Sequence, residues 1–201
     1  MAISPQERAR IAKAIREAEA NTSGEIVCVL ARSSSEYTAA PVLVGALCAL
    51  VLPWALVLLT QWSVQRILVA QLIIFVLATS ICALTPIGMA LVPRRIKRTL
   101  AHRAAMEQFH ARGLARLENR AGVLIYVSLA ERYARIIVDD HLAAKVTANE
   151  WRAAMDALTS HMKNGRIADG FVAAIERCGA VLAAHAPGAP SGKLPDRVYL
   201  M

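Results

Sequence analysis

Apolar residues follow different rhythms in successive parts of this chain. Near the start, Ile11, Ala14, Ile15 and Ala18 recur at helical spacing behind Ser4-Pro5-Gln6-Glu7. Ser4 can cap such a helix, Pro5 suits its first position and Glu7 completes a capping box. Residues 21–24 stop the helix, and Ile26, Val27, Val29 and Leu30 then predict a strand over 25–31. A second rhythm begins at Pro41. From there to Val92 the only charged side chain is Arg66. Residues 42–60 include 11 Val or Leu, and residues 67–92 include 14 Ile, Leu, Val or Phe. At 1.5 Å per residue these runs reach about 28 and about 39 Å as helices, against a hydrocarbon core of about 30 Å. A chain of 201 residues has no core large enough to hide fifty nearly uncharged positions. The expected structure is a two-helix transmembrane hairpin, 42–60 and 67–92, joined by residues 61–66.

Beyond the hairpin the soluble patterns return. Met106, Phe109, Gly113 and Leu117 predict one long helix over 94–119. Residues 122–129 form a continuous apolar run of strand length, which implies burial on both faces. Ala130-Glu131-Arg132 turns the chain into a second strand, 133–138, ended by Asp139-Asp140-His141. Thr147-Ala148-Asn149-Glu150 is another capping box, opening a helix with Trp151, Met155, Leu158 and Met162 on one face. Ile167, Phe171, Ile175 and Leu182 mark the last helix, and the Pro and Gly residues after Ala186 predict a flexible tail. One helix and one strand before the membrane cannot bury their apolar faces alone. The simplest solution is a single α/β domain, built from residues 1–40 and 93–185, into which the hairpin 41–92 is inserted, with 186–201 as the tail.

Charge supplies an orientation. The chain carries 23 Lys and Arg against 15 Asp and Glu, a formal charge of +8, and a net +6 of it lies between residues 94 and 120. Arg94, Arg95, Lys97 and Arg98 follow the second span directly, whereas the connector offers Arg66 alone. The positive-inside rule therefore places the soluble body and both termini in the cytoplasm. The same four basic residues are the candidate contacts for anionic lipid headgroups, at about 1 kcal/mol each near the surface. Nucleic acid is a poor partner for this charge, since no aromatic residues interleave with it and no binding motif is present. Trp62 sits at an interfacial position, and mid-span Trp54 is expected against the partner helix. Pro53 and Pro86 are candidate kinks, while Gly45 and Gly88 are candidate close approaches. No secretory signal is expected in the first forty residues.

Candidate chemistry is sparse. Cys28, Cys48, Cys82 and Cys178 are scattered without a C-x-x-C pair and read as small apolar residues. His102 and His110 share a helix with no ligand-spaced carboxylate or thiol between them. No nucleophile elbow or phosphate-cradling glycine loop appears. Asp139 and Asp140 are the one carboxylate pair at a strand end, a candidate site for a hard cation such as calcium or magnesium.

Thr22-Ser23-Gly24-Glu25-Ile26-Val27, and later the stretch from Asn119 through Arg132, together with Arg135-Ile136-Ile137-Val138-Asp139-Asp140, resemble the TPM domain family. That family includes thylakoid-lumen and photosystem II repair proteins and many bacterial membrane-associated proteins. The resemblance implies an α/β/α sandwich. It further implies one of two roles, an acid phosphatase or a metal-binding or complex-assembly module. In the family a glycine-rich turn follows the second strand; here Asp139-Asp140-His141-Leu142 stands in its place, which weakens the metal carry-over. The expected protein is a non-enzymatic interaction module with no obligatory cofactor, held in a bacterial plasma (inner) membrane and binding a membrane or cytoplasmic protein partner. A metal-dependent phosphatase using Asp139 and Asp140 is the runner-up. A channel is disfavoured because two spans with one charged residue offer no polar path.

Overall fold

A computed structural model describes residues 3–34, 39–85, 90, 92–117, 119–190, 192 and 194–201. It is a mixed α/β structure with seven helices and a four-stranded sheet among the described residues. Two compact units result, one made of residues 1–34 and 98–201, the other of residues 35–97.

In the first unit, helix α1 (Pro5–Glu19) starts at Ser4, whose backbone N–H donates to Glu7 Oε2 at 2.7 Å while its Oγ accepts from Glu7 N. Ile11 and Ile15 bury one face of it. Strand β1 (Glu25–Ala31) and strand β2 (Gly122–Ser128) are buried along their whole length, as continuous apolar runs require when both faces are covered. They pair in parallel from Glu25 opposite Gly122 to Ala31 opposite Ser128. Strand β3 (Tyr133–Val138) runs antiparallel to β2, and with β4 (Val198–Leu200) the sheet order is β3-β2-β1-β4.

Alternation along the strands divides the core. Ile26, Cys28, Leu30, Val123, Ile125 and Val127 face α1, α6 (Ala148–Lys163) and α7 (Ile167–His185), where Ile15, Leu158, Phe171 and Ile175 are buried. Val27, Val29, Leu124 and Tyr126 face the opposite way, onto Ala105 and Phe109 of α4 (Arg94–Ala111) and onto Leu114. Each capping box opens its helix where the sequence predicts; at α6, Thr147 N donates to Glu150 Oε2 at 2.9 Å.

Two expectations for this unit are corrected. The helix expected over 94–119 stops at Ala111, because Gly113 adopts a left-handed backbone (φ 77°) and leads into a 3-10 turn at Leu114–Arg116. Leu114 and Leu117 still reach the core from this turn. The expected flexible tail instead ends in strand β4 (Val198–Leu200), parallel to β1 with Cys28 opposite Val198. Its backbone is tied at the far end, where Met201 N donates to Leu30 O and Arg32 N to Met201 O. The Arg112 guanidinium lies 3.6 Å from the Tyr199 ring centroid, a cation–π contact that holds the strand's side chain. A four-residue helix α5 (Asp140–Ala143) also follows β3.

The second unit contains α2 (Ala39–Leu59) and α3 (Val64–Leu84), two apolar helices that contact each other extensively. Their bounds differ from the expected 42–60 and 67–92: α2 starts earlier, and α3 starts at Val64, so Arg66 is helical and only residues 60–63 connect the pair. The later part of the expected second span includes positions outside the described residues, among them Pro86 and Gly88. Gly45 is a close approach, since a Cβ there would clash with Thr79 Oγ1. Trp54, expected against the partner helix, is 74% exposed. It lies nine positions beyond Gly45, which at 100° per residue is the opposite side of α2 from that seam.

Candidate functional site

Strands β1 and β2 end side by side at Ala31 and Ser128. At this carboxyl edge of the parallel pair, Glu131 in the β2–β3 turn gathers a polar network. Its Oε1 accepts from Ser33 Oγ at 3.1 Å and from Ser34 N at 3.0 Å. Its Oε2 accepts from Ser34 Oγ at 3.3 Å and from Ser128 Oγ. Ser34 Oγ also meets Tyr126 Oη at 2.9 Å, and burial raises the phenol's pKa, with the Ser34 contact opposing. Nothing local in the sequence connects Ser34 to a glutamate 97 residues away. The parallel register brings them together. This network pins the turn, and the next residue, Arg132, is held in the left-handed region at φ 50°.

Beside that turn lies a cleft of about 560 Å³, with every lining residue in the first unit. Arg98, Arg132 and Arg135 surround it, and among the described residues none of the three has a carboxylate partner. His102 and Tyr133 also line it, and His102 Nδ1 and Tyr133 Oη are buried without a hydrogen-bond partner among the described residues.

The candidate cation ligands take ordinary structural positions. Asp139 caps α5, with Oδ1 accepting from His141 N at 3.0 Å, and Asp140 is exposed one residue further on. Among the described residues, no group of three His, Cys, Asp or Glu side chains gathers where an ion could sit. The candidate lipid contacts Arg94, Arg95 and Arg98 are exposed and Lys97 is half-buried, all in the first turn and a half of α4. Spacings of three and four place Arg98 beside both Arg94 and Arg95. Cys28 and Cys178 are fully buried free thiols; burial raises both, Cys178 to about 12, and leaves them inert.

One acidic group is missed by sequence reading. Glu19, at the end of α1, is only 7% exposed and accepts from Ile26 N at 2.6 Å. Burial pushes its carboxyl up to about 8, opposed by the Ile26 bond and assisted by Glu25 and Asp196. Its position at the end of an amphipathic helix looks exposed in sequence; the return of the chain into β1 covers it.

Comparison with known proteins places part of this chain. The model of the TPM domain matches residues 86–181. Among solved structures, the NMR structure of BA42 protein from the psychrophilic bacterium Bizionia argentinensis superposes with a TM-score of 0.62. That similarity spans 100% of this chain and 97% of the other at 21% identity, so it is a likeness of fold. No curated protein matches the chain.

Proposed function

The chain carries a TPM domain over residues 86–181, and from that premise we propose that it is an integral membrane protein displaying a non-enzymatic interaction or complex-assembly module. The body is an α/β/α sandwich interrupted by a transmembrane hairpin. The observation that carries this reading is the pair of helices α2 and α3. Each has 21 residues and is long and apolar enough to cross a membrane, with mean hydropathy of 2.7 and 2.6 and only 11% of the best window buried. A core helix of a soluble protein would be mostly covered. Leu58, Leu59 and Leu84 are each more than 80% exposed, a surface that lipid tails cover without cost.

In this reading the hairpin sits in a bacterial plasma membrane with its 60–63 connector outside, and both termini and the body lie in the cytoplasm. Arg94, Arg95, Lys97 and Arg98 meet anionic headgroups, and the body binds a membrane or cytoplasmic protein. The internal use of the best polar groups favours binding over catalysis: Glu131 is occupied by serines, and Asp139 by its helix cap.

Cell fractionation with thiol labelling tests this. A Ser63→Cys variant should remain in the membrane pellet after an alkaline wash and should react with an impermeant maleimide in intact cells. Recovery in the soluble fraction would overturn the membrane assignment. Labelling only after lysis would overturn the orientation.

A further inference from the structure

Strand β3 is an edge of the sheet, with β2 on one side and no strand on the other among the described residues. Its inward hydrogen bonds are phased by Asp139 N donating to Gly122 O at 3.1 Å. Antiparallel pairs exchange bonds at every second residue, so Tyr133, Arg135 and Ile137 bond to β2. The N–H and C=O groups of Ala134, Ile136 and Val138 therefore face the open edge. Such an edge invites another strand unless something guards it.

The 560 Å³ cleft runs along the start of this edge. Helix α4 covers one sheet face and contributes Arg98; Ala101, Ala105 and Phe109 follow on the same helical stripe and are buried. Helix α6 lies on the other face and contributes Met155 and Thr159. Between them stand Arg132, Ala134 and Arg135 of the turn and strand. The result is a concave trough with an unpaired backbone at its floor, Met155 and Thr159 on one wall and three arginines without acidic partners among the described residues. Arg132 is fixed in its left-handed conformation by a turn that the Glu131–serine network anchors, so Glu131 is a positioning residue for it.

We propose that this trough binds an extended acidic peptide segment of a partner protein, which adds to the sheet as a fifth strand beside β3. Backbone groups of Ala134, Ile136 and Val138 pair with the peptide. Alternate acidic side chains meet Arg132 and Arg135, and intervening apolar ones lie toward Met155. Strand addition uses the backbone for affinity and the alternating side chains for selectivity. The arginines give bidentate, charge-assisted bonds to carboxylates. This inference rests on the reading of the body as an interaction module and supplies the partner's chemistry. It does not depend on membrane orientation, so the test below can fail while the labelling result above stands.

The full chain in detergent micelles is titrated with a fluorescent peptide alternating Glu and Val, with its Lys–Val counterpart, and with inorganic phosphate, while amide exchange is followed at Ala134, Ile136 and Val138. The Glu–Val peptide is expected to bind, to slow exchange at those three amides, and to weaken as salt rises. Arg132→Gln with Arg135→Gln should reduce its affinity tenfold or more, whereas Arg177→Gln, an exposed arginine on α7, should leave it unchanged. Ala134→Pro removes an outward N–H without touching the β2 ladder and should also weaken binding in a protein that still melts cooperatively. Equal binding of the Lys–Val peptide overturns the proposal. Phosphate displacing the peptide without any amide protection would show a small-anion site instead. Binding by neither probe would leave the arginines as guards of an open edge and would likewise overturn it.

Discussion

The hairpin and the α/β body solve the burial problem in opposite ways. In the hairpin, α2 and α3 are neighbours in sequence, joined by residues 60–63, and most of their large apolar side chains stay exposed. In the body, the central strand β1 precedes the hairpin and its parallel partner β2 follows it, about ninety residues later, and both are fully buried. One unit is held by local contacts and leaves most of its apolar side chains uncovered. The other is held by distant contacts and makes its own core. An insertion this long is tolerated because loop-closure entropy grows only with the logarithm of loop length.

The comparison breaks most completely if the body loses its first segment. A fragment covering residues 94–201 lacks α1 and β1, so β2 loses its parallel partner and β4 its only one. We expect aggregation or a broad, non-cooperative melt, monitored by circular dichroism. A sharp transition from a monomeric fragment would show that the two segments are not one unit.

A smaller effect should be confined to the other unit. Gly45→Val places a methyl group on Thr79 Oγ1, a clash worth about 1–3 kcal/mol to the helix pair. Cys82, 8% exposed in the hairpin, should then react with a lipid-soluble alkylating agent, approaching the rate expected of exposed Cys48. Cys28 and Cys178 in the body should stay protected. Reactivity spreading to the body thiols would argue that the units are energetically coupled.

Another expectation concerns pH. Glu19 binds its proton more tightly folded than unfolded, with a folded value of about 8 against an ordinary 4.5. The native state thus holds the extra proton between these values, and stability must fall as pH rises through that window. The contribution is full below pH 4.5 and gone above pH 8. Glu19→Gln, which mimics the protonated form, should flatten this part of the stability profile measured by urea unfolding. An unchanged slope in the variant would assign it to another group.

Legibility in the sequence followed range. The capping boxes at Ser4 and Thr147, the apolar runs of the hairpin and the strands around Ile26, Leu124 and Ile136 are local patterns, and each predicts its element. Gly113 was a local signal as well, but a helical spacing of apolar residues that continues through Leu117 masks the break. Strand β4 was not legible, since three residues behind a Pro- and Gly-rich stretch carry no period, and its order comes from β1 and Arg112. The Glu131 network and the arginine trough depend on which strands pair and which one is left at the edge. That is topology, and no spacing within the chain encodes it. Asp139 and Asp140 were legible as a carboxylate pair at a strand end, and the cap that Asp139 forms on the short helix after it is a local pattern of the same kind.

The flanking segments should form one self-sufficient body without the hairpin. Replacing residues 39–92 by a flexible linker and melting the product in detergent-free buffer tests it most directly. A soluble monomer with a single cooperative transition and protected amides in β1 and β2 is expected. An insoluble product, or a soluble one whose β1 amides exchange freely while β2 stays protected, would contradict it.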